Sequence, residues 1–119
     1  MNIDAVDLGQ FEGEWINTNE GPREIDSVSL RTSSGRMYLR VRGNAHAAGP
    51  DWGEIEIENV YTDPANLNQG VSFAAKYDFD ALRVELGVNL NMGLLVMAMF
   101  NSWNESTATN YCAREFFRL

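Results

Sequence analysis

Cysteine and histidine are nearly absent from this 119-residue chain: Cys112 and His46 are the only ones. A single cysteine rules out an intramolecular disulfide. One Cys and one His cannot supply the usual zinc ligand set within one chain. No metal or cofactor site is expected. Basic residues are few, 9 against 17 acidic, for a formal net charge of −8. A surface of that sign repels phosphate backbones and anionic lipid, so neither nucleic acid nor a membrane is an expected partner. Arg36, Arg40 and Arg42 are the one candidate basic patch, and the simpler reading puts them on the solvent face of a strand.

Long apolar runs are also missing. The longest, Gly93 to Phe100, is too short to cross a membrane as a helix. Met1 to Gln10 carries Asp4 and Asp7, no Lys or Arg and no apolar core. It does not read as a signal peptide, and the cytoplasm is the expected compartment. No internal repeat or helical periodicity stands out.

Alternation with period two is what the sequence does have. Phe11 to Asn17 sets Phe11, Gly13 and Trp15 on one face. Glu24 to Thr32 changes parity between Ile25 and Val28, which predicts a bulge. Met37 to Arg42 alternates most cleanly, with Met37, Leu39 and Val41 on one side and Tyr38, Arg40 and Arg42 on the other; the intervening Ser33-Ser34-Gly35-Arg36 predicts a hairpin. Asp51 to Tyr61 puts Ile55, Ile57 and Val60 inward, and Glu54, Glu56 and Glu58 outward to meet the arginine row. Further strands are expected over Val71 to Tyr77, Leu82 to Leu86, Leu94 to Phe100 and Thr107 to Leu119, with polar loops at Thr62 to Gln69 and Asn101 to Ser106. Eight evenly spaced strands with short connections predict an all-β, single-domain, antiparallel up-and-down barrel over residues 1–119.

The first strand carries Gly13-Glu14-Trp15 and the last carries Arg114 and Arg118. In this, and in strand order and count, the chain resembles the calycin group, the lipocalin and avidin-type barrels. The resemblance implies that first and last strands pair at closure and that Arg114 or Arg118 packs over Trp15. It carries no ligand across, since no avidin-type biotin-binding set and no lipocalin C-terminal helix is present.

Candidate site residues follow from residue type and place. His46, in the small-residue loop before Asp51, could act with Asp51 as an acid–base pair; a solvent-exposed loop histidine is the simpler reading. Tyr77 is a third candidate catalytic group. Cys112 reads as a small buried apolar residue. Trp52 and Trp103 read as loop indoles, able to stack on a ligand or to plug the barrel ends. Asn17, Phe73, Tyr77 and either Tyr111 or Asn110 face inward, with Met97 and Met99 (and Met92) as adaptable lining. Methionine as core filler is the plainer alternative. Asp78-Phe79-Asp80 lacks the glycine and spacing of a calcium loop.

The leading expectation is a barrel binding an apolar or aromatic small molecule. A cofactor-independent cyclase or isomerase acting inside the barrel, and a carbohydrate-binding module using Trp52 and Trp103, are the alternatives. Leu94 to Phe100 is apolar on both faces, which leaves one face in need of cover and makes a homo-oligomer a candidate arrangement.

Overall fold

The computed structural model describes residues 6–21, 24–45, 49–104 and 108–119. Nine strands form one antiparallel sheet that curls into a half-barrel: β1 (Gly13–Asn17), β2 (Ile25–Ser33), β3 (Arg36–Ala45), β4 (Gly49–Glu56), β5 (Asn59–Asp63), β6 (Asn66–Asp78), β7 (Leu82–Asn91), β8 (Leu94–Trp103) and β9 (Tyr111–Arg118). Their order is β4-β3-β2-β1-β9-β8-β7-β6-β5. The described residues include no α-helix, only one 3-10 turn at Gly9–Phe11.

The sequence-based count of eight needs correction at residues 51–61. The expected single strand breaks into β4, which pairs with β3, and β5, which pairs with β6. The break is physical. The Ile57 N–H donates to the Met37 carbonyl at 2.9 Å while the next residues swing toward β6. Ile57 and Val60 are both buried although their parities differ, so the strand cannot run straight through. A second irregularity lies just before it. Arg40 pairs with Glu54 but Arg42 with Asp51, one extra residue on β4, and Gly53 takes φ +87°. This bulge turns Trp52 inward alongside the Ile55 face.

Elsewhere the alternation reads true. The register shift in β2 falls between Ile25 and Ser27. Two-residue turns at Ser34-Gly35 and Met92-Gly93 have positive φ at both positions, the geometry that matches strand twist. The arginine and carboxylate rows meet: Arg31 pairs with Glu54 at 2.5 Å, Arg36 with Glu56 at 2.7 Å and Arg40 with Asp51 at 2.5 Å. The expected loop 62–69 shrinks to a turn at Pro64-Ala65, because β6 starts at Asn66.

The concave face holds one continuous core that includes Phe11, Trp15, Phe73, Phe117, Met97 and Met99, each at most 2% exposed. One end of the half-barrel is capped. The N-terminal segment crosses it from β1 to β6, with the Asp7 N–H on the Asn68 carbonyl and the Gly70 N–H on the Asp7 carbonyl. Below this strap the Trp15 indole N–H donates to the Phe11 carbonyl at 2.8 Å, and Phe11 meets Phe73 edge to face. Gly13 is required here: its φ is +139°, and a Cβ would lie 2.6 Å from Leu119. The opposite end, toward which β1, β3, β6 and β8 run, carries no such strap among the described residues and is termed the open end.

Gly43 sits where β3 crosses the β2 bulge, and a Cβ there would fall 2.2 Å from the Glu24 carbonyl oxygen and 2.8 Å from Ile25 Cα. Gly43→Ala should therefore lower stability by about 1–3 kcal/mol, the range for overpacking a rigid neighbour. Urea unfolding checks this: the midpoint should fall with an unchanged slope, whereas an unshifted midpoint would show that the two strands part without cost.

Candidate functional site

The inward face of the sheet turns polar toward the open end. Asn17 on β1 and Asn101 on β8 are the buried polar residues there, at 6% and 2% exposure. Tyr111 lies directly across the β8–β9 ladder from Asn101. Glu115 is four residues further along β9, on the same inward parity as Ala113 and Phe117, and is half-buried. From Tyr111 to Glu115 the strand advances about 13 Å, with the small Ala113 between them.

These side chains are held by backbone. The Asn17 amide donates to the Ile25 carbonyl at 2.7 Å and accepts from the Asn19 N–H at 2.8 Å. The Glu24 N–H donates to Glu115 Oε1 at 3.1 Å. Burial pushes the Glu115 carboxyl above its ordinary value, and the Glu24 carboxylate adds to the shift; backbone N–H groups of Glu24 and Ile25 and the Asn17 side chain act against it. Burial, together with its hydrogen bond to Glu24 and the charge of that group, pushes the Tyr111 phenol up to about 12. Two atoms stand out: Glu115 Oε2 and Asn101 Nδ2 are buried without a hydrogen-bond partner. Such atoms cost roughly 1–3 kcal/mol each unless something binds them. Asn101 thus offers a donor and Glu115 Oε2 a carboxyl oxygen, about 13 Å apart along the face, so a ligand that meets both must span that length.

The expected site residues fall in several places. Asn17 and Tyr111 belong to this polar face. Trp103, at the end of β8, packs half-buried against the core, and its N–H donates to Asn110 Oδ1 at 2.9 Å. Phe73, Met97 and Met99 are core. Met92 is corrected from lining to surface: it is 96% exposed at a hairpin tip. Cys112 likewise is exposed on the outer face, because its strand parity is opposite to that of Phe117.

Trp52 is not a loop indole. The β4 bulge buries it at 6% exposure, edge-on to Tyr77 at 5.4 Å and to Phe79 at 5.7 Å. Its buried Nε1 has no partner. Tyr77, stacked on Phe79, donates its hydroxyl to the Gly53 carbonyl at 2.8 Å, and burial raises its phenol well above the ordinary range. It spans the seam between β4 and β6. Asp51 is on the solvent side, where its hydrogen bond with Arg40, with help from the Gly53 N–H, lowers its carboxyl to about 2. His46 lies outside the described residues.

The closure pair is half met. β1 and β9 do pair, at Ile16 with Arg118 and Asn17 with Phe117. The guanidinium over Trp15 is corrected: Trp15 faces the core while Arg114 and Arg118 are exposed on the outer face. A guanidinium does stand over a ring on the outer face, where Arg31 lies 4.3 Å from the centre of Tyr38.

Outside the barrel a second feature lies along the seam, a groove of about 460 Å³ whose lining includes Ile55, Glu58, Ala74, Glu85, Gly87 and Phe100. No family model matches the chain, and no curated protein or solved structure matches it either.

Because the folded pKa of Glu115 lies above its ordinary 4.5, its protonated form stabilises the fold below that pH, and this is lost as pH rises through the folded value. Glu115→Gln should therefore melt higher than wild type at neutral pH, with the difference shrinking in acid. Thermal melts across that range check it; a variant that melts lower at neutral pH would mean the ionised carboxylate is the stabilising form.

Proposed function

We propose that the open end of the half-barrel binds an uncharged small molecule, apolar or aromatic in body and carrying hydrogen-bond acceptors. The observation that carries this reading is the pair of buried orphan atoms, Asn101 Nδ2 and Glu115 Oε2, on an inward face otherwise built from Asn17, Tyr111 and apolar side chains. Ligand sites combine an apolar wall with a few placed polar groups, and this face has that composition. A cationic ligand would suit Glu24 but would leave the Asn101 donor unmatched. An anionic ligand would meet two carboxyl groups.

The same reading extends to the architecture. Counting β4 and β5 as one broken strand gives eight strands in meander order, a calycin-like closed barrel. Supporting this are the β1–β9 pairing, the strap over Trp15 and the Tyr77 hydroxyl bond across the seam. The interior between the ends is filled by side chains, so binding is assigned to the open end rather than the middle.

A cofactor-independent isomerase is a second reading of the same groups, favoured by the raised Glu115 carboxyl and by Glu24, whose backbone N–H holds Glu115 and whose carboxylate bonds Tyr111. A protonated carboxyl is a general acid, and a neighbouring carboxylate is a base. The carbohydrate reading loses its first stacking surface, since Trp52 is buried among Tyr77 and Phe79.

Native mass spectrometry of the protein as purified tests the binding reading. A mass excess that disappears on denaturation, and that is lost in Asn101→Leu and Glu115→Ala, is the expected result. An excess that persists in both variants would place the ligand elsewhere, and none at all after incubation with a panel of neutral aromatic amides and ketones would contradict the proposal.

A further inference from the structure

The outer face of β8 and β9 departs from the polar exterior of β6 and β7 beside it. On it Val96 lies opposite Phe116, Ala98 opposite Gly87 and Arg114, and Phe100 opposite Glu85 and Cys112. Phe100 is 52% exposed and Phe116 41%. Exposed aromatics on neighbouring strands form a patch that water wets poorly.

Immediately beside Phe100 runs the 460 Å³ groove along the seam. Part of its floor is Ala74 and Gly87, paired across the ladder, and the space where a Gly87 side chain would stand is open, with nothing within 4 Å. An exposed aromatic knob thus adjoins a hole floored by small residues.

Charge is divided along the same line. Arg114 and Arg118 stand exposed on β9; Arg114 has no ion pair, and Arg118 bonds only to the Leu119 carbonyl. The groove side carries Glu56, Glu58 and Glu85 with Lys76. Glu56 is committed to Arg36 at 2.7 Å, which leaves Glu58 and Glu85 as the acids without an ion pair. In β2–β4, by contrast, arginines are matched within the chain: Arg31, Arg36 and Arg40 within 2.7 Å of a carboxylate and Arg42 at 3.9 Å from Glu14.

We infer that a second copy of this chain docks on this face, about a two-fold axis parallel to β8. Such an axis swaps left for right while keeping height along the strands. With the axis over β8 it lays β9 of each copy over β7 of the other. Phe100 of each then packs against Phe100 of the other at the rim of the groove, and Arg114 of each comes over the other's Gly87, next to Glu85 on the same face. One contact made twice is the isologous arrangement of most homodimers. The alternative two-fold, across the strands, sets Arg114 against Arg114 and is disfavoured by like charge.

Sedimentation velocity at micromolar concentration tests this, with far-UV circular dichroism confirming that each variant folds. Wild type should sediment as a dimer. Phe100→Glu should be a monomer. Arg114→Glu should weaken the dimer about tenfold, the scale of one interfacial charge pair. The swap Arg114→Glu with Glu85→Arg should restore it. A monomeric wild type, a dimer indifferent to Phe100→Glu, or a swap that fails to rescue would overturn the inference. So would a monomer carrying a small molecule that Gly87→Leu expels, since that assigns the groove to a ligand. None of these variants touches Asn101 or Glu115, so the dimer and the open-end site fail independently.

Discussion

The fold hangs on a short ladder. β1 and β9 meet over Ile16 with Arg118 and Asn17 with Phe117, extended by the Thr18 N–H to the Phe116 carbonyl at 2.9 Å. This contact joins two otherwise separate meanders, β1–β4 and β5–β9, into one sheet. So few pairs suffice because Phe117 and Trp15 bury their rings beside them, where each large side chain contributes roughly 1.5–3 kcal/mol. Asn17 completes the join by bonding back to Ile25. The polar open-end face exists because this ladder brings Asn17 and the β1–β2 connection beside Glu115 and Tyr111.

At the other edge the sheet does not close by backbone pairing. β4 and β5 are neighbours in sequence but stand at opposite edges of the sheet. What bridges them is side-chain chemistry: the Tyr77 hydroxyl on the Gly53 carbonyl, with Trp52 and Phe79 packed around it. The Gly53 bulge serves two ends, turning Trp52 inward and presenting the carbonyl that Tyr77 needs. The groove outside lies along this imperfect seam, and its breadth follows from backbone that parts at Ile57.

Much of this was legible in the sequence where parity was regular. The 37–42 alternation, the β2 bulge and the arginine–carboxylate rows all follow from period two. The break at Ile57 was also written there, since Ile57 and Val60 cannot both face inward on a straight strand, but a bulge and a change of partner strand leave the same trace. Trp52 was unreadable because Gly53 alone does not announce a left-handed residue. Asn17 follows Trp15 inward at period two, whereas the last strand leaves Tyr111 and Asn110 as alternatives until its pairing with β8 selects Tyr111. Asn101 was lost to a polar stretch that reads as loop, although Leu95, Met97 and Met99 share its parity. Glu115 was passed over because a charged residue in an alternating strand reads as solvent-facing; its parity with Phe117 points inward. What no pattern could supply is which end of the barrel the strap covers, since that depends on Asp7 reaching Asn68 and Gly70.

The open end holds a half-buried carboxyl, Glu115, in an environment that favours its protonated form. A carbon-detected NMR titration of the Glu115 carboxyl measures this directly. The account predicts a midpoint clearly above the ordinary glutamate value of 4.5, with the shift abolished on unfolding. A midpoint at or below that value would show Glu115 to be a solvated or well-paired carboxylate, and the inward polar face would no longer mark a ligand site.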